Sequence, residues 1–286
     1  MNKHISYSQY SIWCGCPFRW KLKYVDSIQL TKSNIYLVFG KAMHSVFQKY
    51  LTIMYESTIK KADELDLPQF LQEELFAEVK KIKEEEKELP CTKTDLYEFF
   101  EQGVIMLEWF KKNRAKYFSR KDWTLLGCEV PLNIKLENNI NFIGFLDIVL
   151  QHKPTKQIKI IDIKTSTMGW NKYQKQDKIK TSQLLLYKKF YSHQYNCPIE
   201  KISVEYLILK RKLYENFQYP QRRIQTFTPA HGKISINNVG KSLTTFINQS
   251  FDETGNYKMG AVKTPSKKSC KYCEFRDTKY CDGENK

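Results

Sequence analysis

Acidic residues are scarce in this chain relative to basic ones. The 286 residues include 31 Asp and Glu against 47 Lys and Arg, a formal net charge of +16 at pH 7. An excess of this size argues against acidic partners and favours a polyphosphate such as a nucleic acid. General solubility, or attraction to an anionic membrane surface, is the simpler alternative that charge alone leaves open.

Long apolar runs are missing as well. No stretch approaches the roughly 20 apolar residues that span a bilayer. Residues 1–30 carry charges and aromatic rings throughout instead of the apolar segment of a secretory signal. We therefore expect a soluble, cytoplasmic protein without membrane partners. In such a protein, eight cysteines indicate metal binding or free thiols more than disulfides.

Internal repeats and low-complexity linkers are also absent, so we predict one domain over residues 1–286. The first half is predicted to be helical, with Ser6 or Ser8 capping the first helix, a second helix over 39–50, and a helical insertion over 51–120 in which Thr94 is an N-cap. Strands are predicted over 125–136, 140–150, 157–163, 202–211 and 222–227, within a catalytic core spanning 123–230. Helices are predicted over 174–194 and 236–251.

Two acids and a lysine stand out among the predicted strands. Apolar residues bracket Asp147 and Asp162, so each carboxylate is expected at the edge of a buried strand, where it is costly unless paired or bound to a metal. Two carboxylates on adjacent strands can share Mg²⁺ or Mn²⁺, which prefer oxygen ligands and can polarise a phosphate and activate water. Lys164, two residues beyond Asp162, shares its strand face. Alone, this D-x-K triplet more often marks a surface ion pair.

Four short motifs in a fixed order favour a functional role for the D-x-K triplet. They are G-x-x-x-H at 40–44, G-x-x-D at 144–147, D-x-K at 162–164 and Q-x-x-x-Y at 183–187. Together they make the chain resemble the RecB-like branch of the PD-(D/E)XK nucleases, which includes AddB-type and CRISPR-adaptation nucleases. The resemblance implies an α/β fold, in which a restriction-endonuclease-like mixed central sheet is flanked by helices and carries a helical insertion.

The resemblance also implies residue roles. His44, Asp147, Asp162 and the backbone carbonyl of Ile163 would bind Mg²⁺ or Mn²⁺. Lys164 would position the attacking water or neutralise charge on the phosphate. Gln183 and Tyr187, one helical turn apart, would contact DNA or orient Lys164. Without the family, His44 reads as a buried or capping histidine and Tyr187 as a core aromatic. Glu129 is a candidate supporting or second-metal carboxylate, with an ordinary strand-edge acid as the alternative.

The cysteines near the end of the chain have the spacing of a metal site. Cys270, Cys273 and Cys281 form C-x2-C-x7-C, one ligand short of a tetrahedral centre or a cubane. Cys16, followed by a proline, is the preferred fourth ligand, and Cys14 is its rival. In the resembled nucleases this split set holds a [4Fe–4S] cluster that joins the two ends of the domain, here residues 257–286 and Cys16. Structural Zn²⁺ is the alternative.

The remaining isolated cysteines, Cys91, Cys128 and Cys197, are expected to be small buried apolar residues. Residues 239–242 match the end of a P-loop motif, but Ser235 stands where the motif needs glycine. We therefore interpret Ser235 as a helix N-cap and predict no nucleotide site.

The leading functional hypothesis is a metal-dependent DNA exonuclease that prefers single strands or free ends, with a role in recombination, repair or phage DNA processing. Basic and aromatic residues of the insertion were expected to contact the DNA strand, with an ordinary amphipathic helix as the alternative. These residues are Trp109, Lys111, Lys112, Arg114, Lys116 and Tyr117. The alternatives are a non-catalytic DNA-binding module, or a nuclease subunit working with a helicase, recombination or CRISPR-adaptation partner.

Overall fold

A computed structural model of the chain describes residues 3–30 and 32–283. The helices are α1 (Tyr7–Gly15), α2 (Pro17–Trp20), α3 (Ile35–Glu56), α4 (Ile59–Asp63), α5 (Leu67–Glu86), α6 (Lys93–Asn113), α7 (Lys172–Gln176), α8 (Lys178–Gln194), α9 (Lys233–Ser250) and α10 (Lys267–Cys270). The strands are β1 (Lys3–Ile5), β2 (Trp123–Lys135), β3 (Ile140–His152), β4 (Ile158–Ser166), β5 (Ile202–Lys210) and β6 (Ile224–Phe227). A short π-helical turn (Lys21–Val25) follows α2.

The described strands form one six-stranded mixed sheet. Its order is β1-β3-β4-β5-β6, and β2 pairs with β3. The pairs β1–β3 and β4–β5 are parallel, and the other pairs are antiparallel. The parallel β4–β5 pair is connected through α7 and α8, as parallel neighbours require. The predicted mixed sheet flanked by helices is confirmed.

Helices cover both faces of the sheet and create two apolar cores. On one face, α3, α5 and α6 pack against residues such as Ile161, Ile163 and Leu207. On the other face, α1, α8 and α9 pack against residues such as Ile160 and Tyr206. Because side chains of β4 alternate between the faces, the strand is apolar on both sides and lies at the centre of the molecule.

Several predicted boundaries shift for identifiable reasons. The helix predicted over 174–194 is two helices, because the Asp177 side chain accepts the N–H groups of Ile179 and Lys180 and begins α8 there. The predicted Thr94 cap is wrong, since Thr92 caps α6 through a capping box with Asp95.

The N-cap of α9 also differs from the prediction. Gly232 occupies that position, and Ser235 lies inside the first turn of the helix. Ser6 caps α1 as predicted. The insertion consists of three helices, α4 to α6, that extend the layer begun by α3. None of the described helices is both long and apolar enough to span a membrane.

Candidate active site

Asp147 and Asp162 lie where strands β3 and β4 separate. The ladder between these strands ends at the pair Ile148↔Ile161, and the two acids occupy the next position, opposite each other. The backbone N–H of Ile163 donates to Asp147 Oδ2 at 2.7 Å. The carboxylate thus accepts a backbone N–H that has no partner on β3 once the two strands separate. This geometry brings together two acids that are 15 residues apart in sequence.

Asp162 is a buried carboxyl group with little hydrogen bonding. Its residue is 1 % exposed, and neither side-chain oxygen has a hydrogen-bond partner. The Lys164 ammonium lies 2.7 Å from Oδ2, so the contact is an ion pair without the directed geometry of a hydrogen bond. Burial raises the pKa of Asp162 to about 6, even though Lys164 lowers it. One lysine therefore does not compensate the buried charge.

Asp147 is in a similar state. Burial raises its pKa to about 6, the charge of Lys164 and the Ile163 N–H lower it, and Glu129 raises it further. The two carboxyl groups together carry more negative charge than Lys164 balances. Bound cations relieve this kind of deficit. The buried Asp162 Oδ1, which has no hydrogen-bond partner, therefore fits a hard divalent cation.

His44 approaches this pair from helix α3. Its Nδ1 lies 3.5 Å from Asp147 Oδ2. Burial lowers the pKa of the ring, while the charge of Asp162 and the Ile163 carbonyl raise it. The balance favours neutral imidazole, the form that can ligate a metal. His44 thus lies beside Asp147 and within electrostatic reach of Asp162.

Gln183 and Tyr187 approach from helix α8 on the opposite face of the sheet. Gln183 Nε2 donates to the Tyr187 hydroxyl at 3.2 Å, so the two act as a unit. The Tyr187 ring packs over Gly144, where an added Cβ would lie 3.1 Å from Tyr187 Cε1. This contact gives a physical reason for the glycine in G-x-x-D. The charges of Asp162 and Asp147 both affect the Tyr187 hydroxyl, so its ring borders the acidic pair.

Two further polar residues reach the acidic pair through nonlocal contacts. Gln48 Nε2 donates to Glu129 Oε1 at 2.6 Å and to the Asp147 carbonyl at 3.2 Å. Glu129 has φ of 51°, a left-handed conformation that is uncommon for a residue other than glycine within a strand. Gln48 was missed from the sequence, although its position one turn after His44 places it on the same helix face.

Lys180 is a second cation that the sequence motifs did not reveal. Burial lowers its pKa, Asp177 raises it and Lys164 lowers it, so Lys180 lies within electrostatic reach of Lys164. It precedes Gln183 by three residues on α8, and this helical spacing was the available signal. Tyr7 completes this side, because its hydroxyl donates to the Ile179 carbonyl at 3.0 Å.

The four cysteines predicted as ligands line one cavity. Cys16, Cys270, Cys273 and Cys281 surround a space of about 140 Å³. Cys14 lies elsewhere, and the Tyr10 and Ser242 hydroxyls lower its otherwise raised pKa. The structure thus places Cys16, rather than Cys14, with the C-terminal three. Cys91, Cys128 and Cys197 lie outside this cavity and are half-buried rather than buried.

The two ends of the chain also meet through ordinary contacts beside this cavity. Arg19 Nε donates to Glu274 Oε2 at 2.7 Å, and the Thr264 hydroxyl donates to the Gly15 carbonyl at 3.2 Å. These contacts hold α2 against the C-terminal segment. The donor set of four thiols in one cavity fits a thiolate-bound metal group.

Over residues 3–30 and 32–283, no group of three or more His, Cys, Asp or Glu side chains is arranged so that it could hold a metal ion. Both candidate sites therefore rest on the fit of their donor atoms. At the carboxylates this fit is the buried, unpartnered oxygens, and at the cysteines it is the shared cavity.

Four of the six basic and aromatic residues predicted to contact DNA from the insertion are half-buried with partners within the protein, whereas Lys112 and Lys116 are exposed. Lys111 Nζ donates to the Asp63 carbonyl at 2.6 Å, and Arg114 pairs with the Asp63 carboxylate at 3.0 Å. Trp109 and Tyr117 pack against the apolar core. These contacts are those of an amphipathic helix, and DNA contact by the two exposed lysines stays a prediction.

A family model for the PD-(D/E)XK nuclease superfamily matches residues 4–281. The chain belongs to the PD-(D/E)XK nuclease superfamily. It is therefore a nuclease, an enzyme that hydrolyses phosphodiester bonds in DNA. The match contains all four motifs and the cavity-lining cysteines.

Two solved structures align with most of this nuclease at low sequence identity. One is a crystal structure of an exonuclease candidate from Eubacterium rectale, at 14% identity and a TM-score of 0.49, covering 86% of this chain and 81% of that chain. The other is a crystal structure of SSO0001, at 14% identity and a TM-score of 0.33, covering 91% of each chain. No curated protein matches the chain in sequence.

Proposed function

We propose that this nuclease is a Mg²⁺- or Mn²⁺-dependent exonuclease of the RecB-like branch, acting on single-stranded DNA or on free DNA ends. The observation that carries the metal dependence is the pair of opposed, buried carboxyl groups at the end of the β3–β4 ladder. Both have a pKa raised to about 6, and Asp162 has two oxygens without hydrogen bonds. Such a pair is costly without a cation.

Each residue of the site has a distinct task in this proposal. Asp147, Asp162, His44 and the Ile163 carbonyl would hold the cation, which when bound supplies Lewis acidity toward the phosphate and its nucleophile. Lys164, on the strand face of Asp162, neutralises charge that develops on the phosphate oxygens. Gln48 fixes Glu129 and the Asp147 backbone through its two hydrogen bonds, and so orients the ligands.

The wall formed by Gln183 and Tyr187 has a positioning role. The two side chains limit the space for DNA on the side of the site that faces α8. Lys180 adds positive charge there for a DNA phosphate. The preference for single strands and ends follows the RecB-like resemblance and the net charge of +16. A recombination or helicase partner belongs to the same proposal.

For the cysteine cavity we propose a [4Fe–4S] cluster with a structural role. The four cysteines line one cavity, and the resemblance to RecB-like nucleases favours a cluster over a single Zn²⁺. The cluster would fasten α2 to the C-terminal segment. Anaerobically purified protein should be brown, with about four irons per chain. Colourless protein with stoichiometric zinc would replace the cluster with the zinc alternative.

The decisive experiment is cleavage of end-labelled DNA. The wild-type chain and the variants Asp162→Asn and Lys164→Ala are incubated with single- and double-stranded DNA in Mg²⁺, Mn²⁺ or EDTA. We expect cleavage that requires metal and is lost in both variants, with products that shorten from the ends. Cys197→Ser, outside both sites, is the matched control. Undiminished cleavage by Asp162→Asn would falsify the proposed centre, and internal products alone would overturn the exonuclease assignment.

A further inference from the structure

The segment between β5 and β6 exposes an unusual set of aromatic rings. Tyr214, Phe217 and Tyr219 are 60 %, 57 % and 71 % exposed. They also contact one another: the ring centroids of Tyr214 and Phe217 are 6.2 Å apart, and those of Phe217 and Tyr219 are 6.3 Å apart. We call residues 210–223 the aromatic loop. Three adjacent exposed rings are a costly surface unless they bind something.

The aromatic loop has an ordered base. The Gln221 side chain closes it by donating to the Tyr214 carbonyl at 2.7 Å and accepting from the Tyr214 N–H at 2.9 Å. Arg211 is buried, and its guanidinium lies over the Phe99 ring and donates to Thr167 Oγ1 at 2.8 Å. These contacts hold the loop against helix α6 and the end of β4. The exposed rings are therefore presented from a fixed position.

The base of the aromatic loop lies beside the candidate active site. Strand β5 runs parallel to β4, with Lys164 opposite Ile208 and Ser166 opposite Lys210. The aromatic loop thus begins two residues beyond the level of Lys164, about 7 Å along the strand. The Arg211 N–H donates to the Ser166 carbonyl at 2.9 Å, which continues this alignment into the loop.

The charge of the aromatic loop selects an anionic partner. Residues 210–223 contain five basic side chains and a single acidic one, Glu215. Burial and the neighbouring Arg223 lower the pKa of Lys210, as expected where cations crowd together. On helix α3, Tyr36 stands 60 % exposed with the Arg211 guanidinium 5.1 Å from its ring centroid. Rings interleaved with cations are typical of surfaces that bind single-stranded nucleic acid.

We propose that the aromatic loop is a stacking platform for the unpaired bases of a DNA strand entering the active site, with Tyr214, Phe217 and Tyr219 as the stacking rings. This inference rests on the proposed nuclease function and specifies how the enzyme holds a single strand. Bases within a duplex are already stacked, so the platform distinguishes single strands and frayed ends from intact duplex. Aromatic stacking adds affinity for any base, which suits an enzyme that must move along a sequence.

The test measures DNA binding separately from cleavage. The full-length chain is titrated in EDTA against a fluorescent oligothymidylate and against a blunt duplex of equal length, and binding is followed by anisotropy. The triple variant Tyr214→Ala/Phe217→Ala/Tyr219→Ala should bind the single strand about tenfold more weakly or worse, and the duplex with little change. Because stacking is not screened by ions, the ratio between wild type and variant should persist at high salt.

Controls separate stacking from general apolar contact. Phe217→Ala is compared with Phe76→Ala, whose ring is 53 % exposed on α5 and should leave affinity unchanged. A triple leucine variant keeps apolar bulk but lacks rings. An oligonucleotide containing 2-aminopurine should be quenched by wild type and not by the leucine variant. Full single-strand affinity in either triple variant overturns the platform and would instead indicate a protein-docking surface.

The binding arm does not depend on catalysis. A chain that binds single strands through the loop but cleaves no DNA would refute the proposed nuclease mechanism and support the platform. A chain that cleaves DNA with unchanged single-strand affinity in the loop variants would refute the platform alone.

Discussion

The carboxylate site and the cysteine cavity, the two proposed metal sites, differ in how the fold supports them. Asp147 and Asp162 lie on central strands between two apolar cores. In the β4–β5 ladder, Asp162 is opposite the buried Tyr206 of β5. Among the cysteines, Cys16 lies between α1 and α2, Cys270 ends α10, and Cys273 and Cys281 lie outside the helices and strands. The fold itself positions the carboxylates, while few buried residues surround the cysteines. Removing a ligand should therefore affect chemistry at the first site and stability at the second.

The largest expected effect is on cleavage. Asp147→Asn should lower the rate of metal-dependent DNA hydrolysis by about a thousandfold or more, because it removes a charged ligand from a group of residues that act as a unit. Its unfolding should remain cooperative with a normal circular dichroism spectrum. If the variant unfolded instead of losing only activity, the proposed separation between chemistry and stability at this site would fail.

The second effect is on folding at the cysteine cavity. Cys273→Ser should lower the free energy of unfolding by several kcal/mol and release the bound metal, because a structural metal group contributes its binding energy to the folded state. Thermal unfolding and metal analysis provide the measurement. Cys197→Ser, half-buried but outside the cavity, serves as the matched control. Equal stability of the two variants would show that the cavity holds no stabilising group.

The third effect is a pH dependence that belongs to the carboxylate site alone. The folded-state pKa of Asp162 is raised to about 6 from 3.8, so the folded state binds the proton more tightly than the unfolded state. This contribution is fully present below pH 3.8 and is lost as pH rises through 6. In EDTA above pH 7, Asp162→Asn should therefore be more stable than wild type by on the order of 2 kcal/mol.

That gain should vanish near pH 4, where both chains are neutral at this position. Chemical denaturation in EDTA at pH 4, 6 and 8 measures it. A variant that is less stable than wild type at pH 8 would show that Lys164 fully compensates the buried carboxylate, and that the apo site is not electrostatically strained.

The smallest expected effect is on stability and activity when one glycine from each region is replaced by alanine. At Gly144 an added Cβ would lie 3.1 Å from the Tyr187 ring, whereas at Gly15, beside the cysteine cavity, it would meet nothing within 4 Å. Gly144→Ala should cost about 1 kcal/mol of stability and displace Tyr187, with a roughly tenfold loss of activity. Gly15→Ala should change neither property. Equal behaviour of the two variants would remove the packing explanation for the G-x-x-D glycine.

Much of the fold and of the site was predictable from local patterns. Runs of apolar and β-branched residues bounded by turn residues predicted β3, β4 and β5 to within a few residues, because a buried strand is apolar along its length. The two-residue spacing of Asp162 and Lys164 placed them on one face, and the four-residue spacing of Gln183 and Tyr187 placed them on one turn. These relations depend only on the repeat of a strand or helix.

Nonlocal partners could not be predicted from spacing. Near the end of α6, Lys111 and Arg114 bind Asp63, a contact that the spacing of residues along the helix does not reveal. The aromatic loop was not predicted, because the sequence does not show whether three rings near basic residues are buried or exposed. Its exposure, and its position beside Lys164, depend on the parallel pairing of β4 with β5.

The sequence by itself determined the family, through four motifs in order, and the spacing of the cysteines at its end. Tertiary structure alone decided that Asp147 and Asp162 stand opposite each other at the end of a ladder, that Cys16 rather than Cys14 lines the cavity, and that Gln48 braces Glu129. The physical reason is that residue type and spacing fix which face of an element a side chain occupies. Burial, the resulting pKa shifts and the meeting of distant donors depend on how the elements pack.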